Sequence, residues 1–467
     1  MQGRAETMIQ LTREVAQAVA AMRYEAIPPQ AISAACNGIT DCAAVTILGR
    51  TSEVVRVLRS VLGLRPGRGE ARICFSSDGA PAPQAALVNG TAAHALDYDD
   101  IGLNRVQPTH PSAVLASAVL AEAEALGCSG RDVLTAYITG YEVWGEVGSR
   151  DRRPYHVKGW HPTATFGAIA AAAAAARLHD LDAERTARAI AIAASQAGGL
   201  VANFGTMTKP FHAGRAAHVG VLSARLAAAG MTAAPDALEA KQGFLNAMSP
   251  GGEVDLATPT GIGRHWRLIS DGLGFKLYPM CYGTHRALDG MIALVKEHDV
   301  RSEAVADINV EVCEVQMANL IHHNPQSALN AKFSMEFALA TAVIARRVTM
   351  VEVADSFVQR GDVRALMNKV RITLLPAGDP TRHRGPPADG VVVSLTDGRR
   401  IERRFEEPLG HPDKPVGADV LWTKFLDCTR GALAESEARR LFGMLQNLDQ
   451  VASLAELPTI ARTEAAA

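Results

Sequence analysis

Apolar residues recur at helical spacing through most of the first 270 residues. "SAVLASAVLAEAEALG" keeps that period and stops at Gly127, and "GRDVLTAYITGYEVWGEVGSR" restarts it with Asp132 near the cap. "DAERTARAIAIAASQAGG" and "GRAAHVGVLSARLAAAGM" repeat the design, and the small residues on their faces predict closely packed helices. Beyond about Gly272 the period changes. "VADINVEVCEVQM" alternates as a strand does, "VRITLL" is a second strand, and "GVVVSLTDGRRIERRF" is a hairpin turning at Asp-Gly. "AKFSMEFALATAVIARR" between them is helical, and the tail returns to helix with "PVGADVLWTKFLDCTRGALAESEARRLFGMLQNL". The pattern predicts a mainly α chain. A large all-helical domain, residues 1–269 and 404–467, is interrupted by a smaller α+β domain at 270–403.

The chain has 467 residues, a formal net charge of −2 and 48% hydrophobic residues. That length suits two or three domains, or one large core with a satellite. Near-neutrality excludes a nucleic-acid surface and a polybasic membrane face, and leaves a small molecule as the expected partner. Seven scattered cysteines without a CxxC pair suit free thiols in a reducing cytoplasm. The first residues carry acids and no apolar run, unlike a signal peptide. The alanine run Ala168–Ala176 is too short to span a bilayer and suits close helix packing instead.

Candidate chemistry gathers at helix starts. "HPS" at His110 and "HPT" at His161 each head an apolar helix. Proline favours the first helical position, so both histidines sit at or beside N-caps, with Ser112 and Thr163 in the first turns. Such an N-terminus binds carboxylate or phosphate, and its dipole lowers a histidine's pKa. The plain alternative is two well-capped helices with surface histidines. Lys209 precedes Pro210 at a third helix start, as half of an anion site. "GLGFKLYPMCYGTHRALDG" holds Lys276, Tyr278, Cys281, Tyr282, His285 and Arg286, and Cys281 beside cations is expected to have a lowered pKa. Asp97, Asp99 and Asp100 are suited to bind a divalent cation, orient the histidines or cap a helix, with Asp97 turned inward more than Asp100. The pair His322-His323 is a weak metal signal. Walker, Rossmann, GxSxG and HExxH motifs are absent. The remaining equipment suits cofactor-free proton abstraction next to a carboxylate held by lysines and N–H groups.

Six stretches, "VNGTAAHALDYDD", "THPSAVLASAV", "GWHPTATFG", "FGTMTKPFHAGRAAHVG", "KLYPMCYGTH" and "AKFSMEFALA", run in order from Val88 to Ala340. Together they resemble the MmgE/PrpD family, which includes 2-methylcitrate dehydratase, cis-aconitate decarboxylase and iminodisuccinate epimerase. The resemblance implies an all-helical domain with an α+β lid, an active site between them, a homodimer and no metal. It places site residues at Asp97, His110, His161, Lys209 and Lys276. Cys281 stands where the decarboxylase pattern has a histidine and Phe337 where it has a tyrosine, which turns the resemblance towards the epimerase-like branch.

The expectation is therefore an isomerase-like enzyme acting on a small di- or tricarboxylate. His161 and Cys281 transfer protons, and His110 and Asp97 orient or relay. Lys209, Lys276, Tyr278 and His285 bind substrate, while Arg105, Arg215, Arg286 and His212 are candidates for setting its length and charge. A dehydratase shares the first step and is the close alternative. Decarboxylation and a carboxylate-binding protein without chemistry are further alternatives.

Overall fold

A computed structural model describes residues 9–64, 67, 69–102, 109–376 and 388–460. Among the described residues the longer helices of the first part are α1 (Leu11–Ala21), α2 (Pro29–Gly49), α3 (Glu53–Val61), α4 (Ala82–His94), α5 (Pro111–Leu126), α6 (Gly130–Gly148), α7 (Pro162–Leu178), α8 (Ala183–Ala194) and α9 (Thr208–Ala228). Helix α9 is central, packed on α4, α5, α7 and α8. The alanine run of α7 is buried throughout, as its composition predicts. Close approach is obligatory here. A Cβ on Gly214 of α9 would lie 2.1 Å from the Leu87 carbonyl oxygen of α4, and one on Gly220 would lie 2.3 Å from the Ala171 Cβ of α7. Glycine and alanine let the backbones meet, and dispersion between many atom pairs holds them. Helix α2 is long and apolar enough to cross a membrane, yet it carries Asp41 and is mostly buried inside the protein.

One apolar cluster contains these helices and closes with Phe425, Leu441, Leu445 and Ile460 from the tail. Helices Ala418–Thr429 and Glu435–Gln446 deliver that return and pack on α2. A second cluster runs from Met280 to Leu395. Its sheet has four strands, in the order Val370–Leu375, Val305–Cys313, Asp389–Leu395 and Arg400–Phe405. The first pair is parallel and the other two pairs are antiparallel. Helices His285–Glu297 and Met335–Ala345 pack within the same cluster. The hairpin turns at Asp397-Gly398, where Gly398 has a φ of 88°, a value glycine adopts without strain. The predicted strand "VADINVEVCEVQM" ends early: Glu314–Met317 is a helical turn, because the alternation stops at Cys313.

The chain crosses between the clusters beside the candidate site. Ile101 and Gly102 pair antiparallel with Gly274 and Leu273. The loop after α4 is thereby tied to the segment that carries Lys276.

Candidate active site

Helix α4 ends at His94, and the chain turns through Asp97, which has a φ of 54°. Aspartate tolerates this left-handed conformation better than most residues. The turn sends three acids within four positions to different partners. Asp97 takes Lys209 Nζ at 2.5 Å and Lys276 Nζ at 3.3 Å on its Oδ1, while its main-chain oxygen accepts a 2.9 Å bond from Lys276. Asp99 Oδ2 lies 2.9 Å from His94 Nδ1 and 3.2 Å from His110 Nδ1. Asp100 accepts from the backbone N–H and hydroxyl of Ser112 in the first turn of α5. All three acids are buried, so Asp100 is turned inward as fully as Asp97, contrary to the sequence expectation. They do not converge on a common point as ligands of a cation would.

His110 and His161 are the N-cap residues of α5 and α7, each followed by proline at the first helical position. The repeated motifs belong to one site. The His110 N–H donates to the Thr163 hydroxyl at 3.2 Å, so the hydroxyl of one motif receives the backbone of the other. The His94 ring lies between them, with centroids 4.5 Å from His110 and 6.0 Å from His161. His110 Nδ1 also lies 2.9 Å from the Asp100 carbonyl oxygen. Two oxygen acceptors at one nitrogen require that nitrogen to carry a proton. In neutral His110 the lone pair is therefore on Nε2. His94, Asp99 and His110 have the residue types of a metal site, and their polar atoms cluster. The proton that these oxygens demand on His110 Nδ1 leaves no lone pair there for an ion, and the separations are those of hydrogen bonds.

His161 faces α9. Its Nδ1 is 3.1 Å from His212 Nδ1, and its ring stands edge-on to Phe204, centroids 4.9 Å apart. Lys209 and His212 lie three positions apart on one face of α9. Lys209 Nζ also sits 4.9 Å from the centre of the Phe333 ring, a cation–π contact.

Electrostatics divide these groups. Burial opposes charge on Asp97 and Asp99, yet Lys209 and Lys276 hold the Asp97 carboxyl well below its usual range, and His94 and His110 do the same for Asp99. Burial pushes the His94 pKa down to about 3 and, helped by Lys209, that of His212 to about 4. Burial also lowers His110 and His161, with Lys209 adding to the effect on both. The imidazoles are therefore neutral near neutral pH. Burial is the largest cause in each, with neighbouring cations adding to it.

Cys281 corrects an expectation. Its pKa is raised, because burial of the thiol and the Asp97 charge outweigh Lys276 and Lys209. The residue keeps partial exposure while its sulfur lies deep among protein atoms. The thiol stays protonated at neutral pH and is no ready-made thiolate.

The other candidates make their bonds outside the lysine cluster, although Lys276 and Asp97 are charged neighbours of His285. Tyr278 gives its hydroxyl to Asp289 at 2.6 Å. His285 is fully buried, bonded to the Met280 carbonyl at 3.3 Å and flanked by the Tyr278 and Tyr282 rings. Arg286 pairs with buried Asp389 at 2.9 Å inside the second cluster. Arg215 is half-buried on α9 near His218, whose ring turns to the Pro83 carbonyl. Arg105 lies outside the described residues. Phe337 is buried in the second cluster, edge-on to Phe357, so its departure from tyrosine is a matter of packing there. Sequence reasoning missed two members of the cluster. His94 was hidden inside an apolar helix end, although its spacing of five from Asp99 was a signal. Lys332, buried with its Nζ 3.2 Å from the Ala95 carbonyl oxygen, carried no signal beyond its place in "AKFSMEFALA".

Comparison with known proteins gives the same family at both ends of the chain. Residues 13–257 match the MmgE/PrpD N-terminal domain, and residues 278–450 match the MmgE/PrpD C-terminal domain. The human cis-aconitate decarboxylase is 26% identical over 460 residues, which cover 96% of this chain and 94% of the relative. The mouse cis-aconitate decarboxylase is 28% identical over 383 residues, covering 79% and 76%. The cis-aconitate decarboxylase of Aspergillus terreus (strain NIH 2624 / FGSC A1156) is 25% identical over 403 residues, covering 80% of each. With the two domain matches in order along the chain, and the first alone covering more than half of it, the chain belongs to the MmgE/PrpD family.

Proposed function

We propose that this protein is a cofactor-independent lyase that removes a proton alpha to a carboxylate of a small di- or tricarboxylate. One observation carries the reading: Asp99 and the Asp100 carbonyl fix the proton of His110 on Nδ1, beside a carboxylate-paired lysine cluster. A neutral imidazole with its lone pair on Nε2 is a competent base, and ammonium groups beside it stabilise an enolate-like charge. His161, neutral and paired with His212, is the second base candidate. Cys281, which keeps its proton, suits the role of acid. Lys209 and Lys276 pair with substrate carboxylates, in exchange with Asp97. We place the enzyme in the cytoplasm as a homodimer, with the α+β residues 270–403 as a lid.

The groups favour a lyase over the epimerisation expected from sequence. An epimerase running both ways needs each of its two groups to serve as base in one direction, and a thiol with a raised pKa is poor in that role. Elimination of water needs only a fixed base and a fixed acid, and loss of carbon dioxide needs only the acid, because the breaking C–C bond supplies the electron pair that is then protonated. The activity of the relatives brings in decarboxylation as the second outcome, in which the departing carboxylate rather than an alpha proton leaves the enolate-like electron pair and Cys281 protonates it; Phe337 does not weigh against it from inside the second cluster.

The test is incubation with C4–C7 di- and tricarboxylates, including cis-aconitate, in heavy water with and without chelator, followed by proton NMR. The expected result is one acid either losing water together with its alpha proton to give an alkene, or losing carbon dioxide and gaining one deuteron, unaffected by chelator. Deuterium exchange with inverted configuration and no elimination would restore the epimerase. Binding without any change in the ligand spectrum would leave a carboxylate-binding protein.

A further inference from the structure

Three ammonium groups surround one buried carboxylate. Lys209 and Lys276 pair with Asp97. Lys332, from the second cluster, has Asp97, Lys209, Lys276 and Asp99 as its charged neighbours. It is 4% exposed, and among the described residues its ammonium meets only the Ala95 carbonyl oxygen, at 3.2 Å, and no carboxylate in ion-pair range. Asp99 is engaged by two imidazoles. Asp97 Oδ2 is itself buried without a partner. A buried, always-charged lysine lacking a counter-ion would be costly, and such groups are kept where a ligand supplies the missing charge. The backbone makes the position accurate. The Lys332 carbonyl accepts the Cys281 N–H at 2.9 Å, so Lys332 and the candidate acid are fixed to each other.

We propose that Lys332 is a third substrate-binding cation of this site, pairing with a substrate carboxylate and gaining a proton as that carboxylate enters. The inference rests on the proposed function for its reaction but not for its binding step. Burial and the two like charges push the Lys332 pKa down to about 8, with Asp97 opposing. An anion arriving beside it reverses the imbalance and recharges the amine. Uptake should therefore be largest just above pH 8. Lys209, Lys276, Asp97 and Asp99 are the charged groups that face the amine, and against the cost of burial the paired lysines and imidazoles hold Asp97 and Asp99 ionised to well below this pH.

Calorimetry with succinate, tricarballylate and butyrate at about pH 8.5, in buffers of different ionisation enthalpy, decides the matter. Wild type should bind the two polyanions with uptake of roughly half a proton or more, given an amine mostly neutral at that pH. Lys332→Met should lose the uptake and weaken succinate about 10- to 100-fold, with a smaller effect on butyrate. Lys332→Arg should restore affinity without restoring uptake, since a guanidinium never gives up its proton. A merely structural lysine would leave the uptake and the polyanion preference unmoved. Unchanged affinity and uptake in Lys332→Met overturn the inference. If that variant does not fold, absence of uptake in wild type overturns it equally. Turnover in wild type with indifferent variants refutes Lys332 alone. Lys332-dependent binding without turnover of any acid refutes the lyase alone. Binding of none of the three anions refutes both.

Discussion

His161 and His212 meet nitrogen to nitrogen, with Nδ1 atoms 3.1 Å apart. Both rings are held neutral, so one nitrogen donates and the other accepts. If His161 donates, its Nε2 is a base; after that Nε2 takes a proton, the Nδ1 proton can pass to His212. The contact therefore positions His161 and drains charge from it. His161→Ala should fold and lose ~10²–10⁴-fold in kcat, the usual contribution of a general base. His212→Phe should lose less, up to about 10²-fold, with KM nearly unchanged. Nitrogen-15 NMR of the imidazoles should show the His161 tautomer shifting in that variant. A fully active His161→Ala would remove the residue from the mechanism.

Asp99 accepts from two imidazoles at once, which a carboxylate can do and a carboxamide cannot without turning its NH2 group towards one of them. Asp99→Asn should force at least one histidine into the other tautomer. Misassigned tautomers are costly in acid–base sites, by up to ~10⁴-fold in kcat. The expected outcome is a folded enzyme with kcat reduced at least ~10²-fold and carboxylate binding retained. Equal turnover would mean that neither His94 nor His110 depends on its tautomer.

Helix packing reaches the same chemistry. Helix α9 carries Lys209 and His212, and α4 ends in His94; they touch where a Gly214 Cβ would fall 2.3 Å from the Thr91 hydroxyl oxygen. Gly214→Ala must part the helices, and overpacking of this kind costs typically ~1–3 kcal/mol. Gly443→Ala, on the exposed face of helix Glu435–Gln446, meets nothing within 4 Å. It should stabilise by roughly 0.5–1 kcal/mol through helix propensity. Thermal unfolding of the two variants should shift in opposite directions, and only the first should also lose activity.

The helical period, the Asp-Gly hairpin and the two His-Pro-hydroxyl caps were legible because each depends on near neighbours in sequence. What lay hidden depends on distance in the fold. Nothing local says that Asp97 draws Lys209 and Lys276 together across more than a hundred positions, or that Thr163 receives the His110 N–H. Cys281 misled for the same reason. Nearby cations in sequence suggested a lowered pKa, while burial and Asp97, visible only in three dimensions, raised it. Tyr278, His285 and Arg286 were placed by their nearness in sequence to Lys276, and their hydrogen bonds and ion pair go to Asp289, the Met280 carbonyl and Asp389 instead of to the lysine cluster.

The pH dependence joins these shifts. A base works in its deprotonated form, and the His110 and His161 pKa values are lowered, so kcat/KM should hold through pH 6.5 and fall only at more acid pH. On the alkaline side the acid must keep its proton. The raised Cys281 pKa keeps the thiol protonated past pH 9, so kcat should persist there. Lys332 loses charge above about pH 8, so KM should climb before kcat declines. Cys281 should also react with iodoacetamide at pH 7.5 more slowly than free cysteine, because the thiolate is the nucleophile. Cys281→Ser should bind carboxylates normally and turn over at least ~10-fold more slowly, since a hydroxyl is a far weaker acid than even a perturbed thiol. Rapid alkylation at pH 7.5, together with an alkaline fall in kcat below pH 8, would show a lowered thiol pKa instead. The two-base epimerisation would then regain the group that the lyase reading denies it.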